Sequence, residues 1–172
     1  YALLEVAKQE DFKDVWLHLI TDGRDAPPRS AHKFLNDLRG KMSELNVGKI
    51  ATISGRYYAM DRDNNWMRTE KAYQAMVSGR GDHIDEAKKA ISKYYRDGLV
   101  DEMIPPTVID QSGVVEDGDS AIFFNFRSDR ARQLTLFFIE PDLKYKREKF
   151  LKDLFFASMV PYQSYDADVE SH

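Results

Sequence analysis

The sequence predicts an α/β fold: a mainly parallel or mixed central sheet flanked by helices on both faces, built as one domain over residues 1–172. Three observations carry that expectation. Continuous β-prone runs recur at 14–20 (DVWLHLI), 49–55 (KIATISG) and 119–126 (DSAIFFNF), each bounded by turn residues. Between them, apolar residues recur at helical spacing, and strands alternating with helices imply crossover connections and a buried sheet. At 172 residues the chain is long enough to bury one sizeable core.

The elements follow in order. ALLEVAKQ (2–9) carries apolar residues at 2, 3, 4, 6 and 7, the end of an amphipathic helix. The first strand stops at Thr21-Asp22-Gly23. Ser30, after the Pro27-Pro28 pair, is placed to cap a helix in which Phe34, Leu35, Leu38, Met42 and Leu45 share a face and which ends near Asn46 to Gly48. The second strand ends at Gly55, and RYYAMDRDNN reads as a polar-aromatic loop before a helix over 66–77. Asp82 is expected to cap a further helix through Tyr95, and GLVDEMIPPTVID is an extended, proline-broken connection. After the third strand, Ser128 is expected to cap a helix to Ile139. The stretch 141–153 is charged and aperiodic, and LFFASMV (154–160) is a fourth strand candidate.

Composition removes several classes of function. A net charge of −4 argues against a general nucleic-acid binder but leaves room for a local arginine cluster. Cysteine is absent, which excludes disulfides, thiolate catalysis and cysteine-based zinc sites. No apolar run approaches the roughly 20 residues of a membrane span. The opening residues lack the pattern of a secretory signal and read as the interior of a helix. The expectation is a cytoplasmic protein cut from a longer one, with no membrane partner and ESH at the end a cloning scar.

Chemistry gathers behind the strands. TDGRD follows the first, GRYYAMDRD the second and RSDRAR the third. In a mostly parallel sheet, strand carboxyl ends line one edge where ligands bind. Arg24, Arg56, Arg62, Arg127 and Arg130 are therefore expected at one mouth. Guanidinium forks match phosphate and carboxylate oxygens, so the cluster points to a small anion with more than one negative group. Asp25, Asp63 and Asp129 each neighbour an arginine; they hold guanidinium groups in place, or one of them accepts a hydroxyl proton. A single Arg-Asp pair is more often a surface ion pair, and Tyr57 and Tyr58 more often pack than stack on a ligand. His18 reads as a core residue, and His32 and His83 have no partners at metal spacing. The RGD at 80–82 is incidental. No glycine-rich phosphate loop, nucleophile triad or metal-ligand set accompanies the arginines.

TDGRDAPPRS, ATISGRYYAMDRDNNWMRTEKAY and IFFNFRSDRARQLT together resemble the cofactor-independent (2,3-bisphosphoglycerate-independent) phosphoglycerate mutase family, over most of residues 14–165. The resemblance implies a two-domain enzyme interconverting 3-phosphoglycerate and 2-phosphoglycerate. An alkaline-phosphatase-like domain, absent from this sequence, carries a transiently phosphorylated serine and two divalent metal ions, usually manganese (Mn2+). This chain resembles the inserted transferase domain. Carried over by motif, Arg24, Asp25, Arg56, Arg62, Arg127 and Arg130 bind substrate, and Asp25 shuttles protons for the glycerate hydroxyls. A substrate-contacting histidine of the family lies upstream of Tyr1 and a lysine downstream of His172. The resemblance thus implies a chain that holds no metal, is inactive alone and binds phosphoglycerate weakly. A stand-alone phosphate- or carboxylate-binding regulatory module is the rival reading. A phosphopentomutase-like relative ranks below it, because GRYYAMDRD is particular to the phosphoglycerate enzymes.

Overall fold

The structure is a computed structural model that describes residues 1–145 and 147–162. It contains six strands, β1 (Trp16–Thr21), β2 (Lys49–Gly55), β3 (Asp82–His83), β4 (Thr107–Val108), β5 (Ser120–Phe123) and β6 (Phe155–Ser158). Six helices accompany them: α1 (Ala2–Gln9), α2 (Ala31–Leu45), α3 (Arg56–Ala59), α4 (Trp66–Ser78), α5 (Ala87–Arg96) and α6 (Ser128–Ile139).

Four strands form the main sheet in the order β1-β2-β4-β3. β1 and β2 are parallel from Trp16 opposite Lys49 to Thr21 opposite Gly55, and β3 runs parallel to β4. β4 is antiparallel to β2, so the sheet is mixed. Neighbouring residues of a strand point to opposite faces, and the core follows that rule. Leu19 packs with Ala31, Leu35, Ala90 and Ile91 of α2 and α5, while Ile20 packs with the cluster of Ala72, Tyr73, Leu134 and Phe137 from α4 and α6. Helices therefore cover both faces, as expected for an α/β fold.

Four sequence expectations need correction. The third and fourth predicted strands do not extend the main sheet; β5 and β6 pair in parallel as a separate two-stranded sheet. Phe123 and Phe156 seat that sheet against the α4–α6 cluster. Asp82 does not cap a helix: it lies in β3, and α5 starts only after Glu86. A two-residue strand has no period to read, and its partner β4 hides beside the Pro105-Pro106 pair. Ser128 is the first residue of α6 rather than its cap. The RYYA of the predicted loop is the single turn α3, too short to declare itself by periodicity.

Ser30 does sit at the start of α2, but its hydroxyl donates to the Pro27 carbonyl at 2.8 Å rather than capping the helix. The cap comes from Asp101, whose Oδ2 accepts from the backbone N–H of Ser30 at 2.8 Å and of Ala31 at 2.9 Å. A carboxylate at a helix N-terminus satisfies orphan donors and meets the positive dipole end. The same residue packs under the first site loop. A Cβ on Gly23, whose φ is +71°, would stand 2.8 Å from the Asp101 Cβ, and one on Gly55 would stand 2.3 Å from the Glu102 carbonyl oxygen. Both loops behind β1 and β2 thus lie on the Asp101–Met103 turn, and only glycine fits at either contact.

Candidate anion-binding site

The loop behind β1, the turn α3 behind β2 and the start of α6 meet at one place. Arg56 emerges from the end of β2 with its side chain only 4% exposed. It donates to the carboxylates of Asp22 and Asp25, the latter at 2.9 Å. Burial would raise the Asp22 carboxyl, but the hydrogen bonds from Arg56 and from the Asp25 backbone outweigh it and hold Asp22 below the ordinary carboxylate range. Burial likewise opposes the charge on Arg56, and the bonds to Asp25 and Asp22 overcome it, raising the guanidinium above its usual value.

Across the mouth, Asp129 accepts from Arg62 and from Arg127 Nε, the second at 2.9 Å. Asp25 Oδ2 closes the ring, lying 3.8 Å from Arg127 Nη1. Arg130 sits behind this ring. Its Nη1 donates to the Met60 carbonyl at 3.2 Å, while its buried Nε has no partner among the described residues. Burial first, then the charges of Arg56, Arg62 and Arg127, pull the Arg130 guanidinium below its ordinary value, with Asp129 the opposing charge. The buried Arg56 Nε is likewise unpartnered among the described residues. Arg130, repelled by three neighbouring arginines, and two buried guanidinium nitrogens without partners mark a place that favours added negative charge.

Arg56, Arg62, Arg127, Arg130 and Asp25 therefore come together as the sequence predicts, though by a different route. β5 belongs to the small sheet, so α6 reaches the mouth from a second platform rather than from the same sheet edge. Arg24 stands apart: its guanidinium faces Glu102 at 3.5 Å and is largely exposed. Tyr57 packs on Tyr58 edge to face at 5.0 Å and carries the Arg68 guanidinium 3.9 Å from its ring centroid. His18 is a core residue, bonded to Thr52 Oγ1 at 2.9 Å, and burial lowers its imidazole to about 4. Asp22, Asp61, Gln133 and Glu102 shape the site and were not singled out as site residues in the sequence. Asp22, Asp61 and Gln133 sit inside the motifs DGRD, GRYYAMDRD and IFFNFRSDRARQLT, where the arginines drew the attention, and Glu102 lies outside all three.

With this geometry in view, comparison with known proteins is direct. The family model described as BPG-independent PGAM N-terminus matches residues 1–164. The chain belongs to this family. A 2,3-bisphosphoglycerate-independent phosphoglycerate mutase from Acetivibrio thermocellus is 48% identical over 167 residues, covering 94% of this chain and 33% of the relative. One from Clostridium perfringens (strain SM101 / Type A) is 51% identical over 146 residues, covering 83% of this chain and 28% of the relative. A crystal structure of Leishmania mexicana phosphoglycerate mutase at low cobalt concentration superposes with a TM-score of 0.86 at 30% identity, covering 92% of this chain and 31% of that one. The chain spans about a third of the length of the mutases it matches. Within the family's N-terminal part, then, the arginine mouth is the charged feature that the fold assembles from three separate segments.

Proposed function

We propose that this chain is the substrate-holding part of a phosphoglycerate mutase that interconverts 3-phosphoglycerate and 2-phosphoglycerate. The observation that carries the reading is Arg130: a guanidinium with an orphaned buried Nε, pressed by three neighbouring arginines, is best satisfied by an anion bearing several charges. A phosphoglycerate offers a carboxylate at one end and a phosphate at the other, which suits donors spread over Arg56, Arg62, Arg127 and Arg130. Arg24 joins them by exchanging Glu102 for substrate.

Asp25 is the proton carrier in this reading. Its contacts to Arg56 and Arg127 both fall on Oδ2, which leaves Oδ1 for a glycerate hydroxyl. Over the two transfers the Asp25 carboxyl gives a proton to the glycerate oxygen that loses the phosphoryl group and then takes one from the hydroxyl that gains it, ending as it began. The phosphoryl-accepting serine and the divalent ions, Mn2+ in this proposal, lie on a metal-bearing domain in the remainder of the parent protein, with residues 1–172 as its single partner domain. Among the described residues no three His, Asp or Glu side chains gather as a metal-ligand set. No described helix is long and apolar enough to cross a membrane, and a cytoplasmic setting fits the proposed reaction.

The test is Arg130→Ala in the parent protein. Loss of a buried charged donor lowers kcat/KM about a hundredfold, near 3 kcal/mol; unchanged activity overturns the reading. The 172-residue chain alone, supplied with manganese, should show no mutase turnover above buffer. Tight, arginine-dependent binding of 3-phosphoglycerate to that chain by calorimetry would favour the stand-alone module instead.

A further inference from the structure

The arginine mouth is assembled from two sheets, so something must hold its halves in register before any ligand arrives. The loop 60–64 carries Arg62, α6 carries Arg130, and Arg127 stands just before the first residue of α6. Beneath them lies a buried polar joint. Asp61, only 3% exposed, directs Oδ1 at the backbone N–H of Asp63 (3.0 Å), the backbone N–H of Asn65 (2.9 Å) and the Gln133 side-chain amide (3.0 Å). Its Oδ2 accepts from the Asn65 side chain at 3.0 Å and from Arg68 at 3.3 Å.

Gln133 stands one turn along α6 from Asp129 and Arg130. Its amide donates to Asp61 and to Thr69 Oγ1 at 3.1 Å, and its oxygen accepts from the Asn64 N–H at 2.8 Å, where the loop turns through φ +62°. Every polar atom of that amide is therefore committed to joining the loop, α4 and α6. Burial would raise the Asp61 carboxyl, but the Asn65, Gln133 and Asp63 donors prevail and hold it below its ordinary value. The joint is an ionised, fully solvated-by-protein carboxylate, and a satisfied buried network of this kind fixes one geometry.

We propose that Gln133 and Asp61 are positioning residues for the anion site, setting Arg62 and Arg130 at a fixed separation in the absence of ligand. The proposal rests on the anion-site reading above, with neither residue touching the ligand. Preorganised donors spare the ligand the cost of ordering them. The exposed Arg62–Asp129 pair alone would not do this, since such pairs contribute little.

The test reads the arginines directly. Nitrogen-15-labelled chain is prepared as wild type, Gln133→Leu, Asp61→Asn and Tyr94→Phe, and the arginine Nε–H resonances are recorded without ligand. Tyr94→Phe is the stability control: it removes buried bonds to Asp82 and Thr107 (2.7 and 2.8 Å) in the other core cluster. Gln133→Leu should move the Arg62 and Arg130 resonances to the position of free arginine, while Tyr94→Phe leaves them in place. Asp61→Asn sets an amide donor against the Asn65 and Arg68 donors that Oδ2 accepts from, which opens the joint, so it should move the Arg62 and Arg130 resonances along with that of Arg68. If the leucine variant does not fold, Gln133→Asn, an amide one carbon too short to span the joint, should give the same two shifts. Unmoved Arg62 and Arg130 resonances in the Gln133 variants, or equal movement in Tyr94→Phe, overturn the proposal. A parallel 3-phosphoglycerate titration of the parent protein and its Arg130→Ala variant addresses the other reading: equal affinity there sinks the anion site, whereas intact discrimination with unmoved resonances sinks only the positioning role.

Discussion

Replacing Asp101 by alanine should cost this protein about 3 kcal/mol, and the structure says where each part arises. Asp101 is 1% exposed. Oδ2 caps α2 through the Ser30 and Ala31 N–H groups, at 2.8 and 2.9 Å. Losing a helix cap costs about 1 kcal/mol. Oδ1 accepts from the Tyr95 hydroxyl, which burial already holds in its neutral form. Stranding that buried hydroxyl costs about 1–3 kcal/mol more. For a chain of 172 residues the total corresponds to a fall of about 9 °C in Tm. In urea the midpoint should drop by about 1.5 M at a slope near 2 kcal/mol per molar. Far-ultraviolet circular dichroism followed through urea gives both midpoint and slope, and Asp101→Asn, which keeps one acceptor, should recover about half of the loss. A midpoint within about 0.3 M of wild type for the alanine variant would refute the assignment of the cap to Asp101.

Two further outcomes follow from other parts of the fold. The His18 imidazole falls from 6.5 to about 4 on folding, so the unfolded chain binds the extra proton between those values. Stability is therefore lost as pH falls from about 6.5 to about 4, by up to about 3 kcal/mol, and His18→Gln should flatten that part of a urea-midpoint profile; an unchanged slope would exclude His18 as its source. Two glycines should respond oppositely to alanine. Gly55→Ala drives a methyl to 2.3 Å from the Glu102 carbonyl oxygen and should destabilise by about 2–3 kcal/mol. Gly40, inside α2 with nothing within 4 Å of a Cβ, should gain about 0.5–1 kcal/mol; thermal melts that rank the two the same way would contradict the packing.

What could be read in advance was whatever left a periodic or local mark. β2 matches its predicted range, α4 and α6 fall within a residue of theirs, and α2 ends at Leu45 with Asn46 as its cap, beside the predicted end near Asn46 to Gly48. Failures came where structure depends on partners distant in sequence. β3 exists because Asp82 and His83 find Thr107 and Val108, and nothing in two residues announces that. The cap of α2 is legible as a position but not as chemistry, since the capping carboxylate lies 70 residues away from Ala31. Within the site, arginines behind strands were conspicuous because charge at a strand end is unusual. Asp61 and Gln133 were not, because a polar residue in a loop or helix looks solvent-facing until a partner 72 residues away is known. Arg24 is placed with the others by its motif, while in the structure its guanidinium faces the Glu102 carboxylate, a partner 78 residues away that the motif does not announce.

Because β5 and β6 form a sheet of their own, the arginine mouth draws its residues from segments behind two different sheets. An anion held by Arg56 on one side and Arg130 on the other belongs to both, and its binding free energy is lost if either unfolds. Each sheet then inherits the same increment, RT ln(1 + [L]/Kd). Amide protons in β2 and β5 should therefore gain the same increment of protection as the anion is raised to saturation.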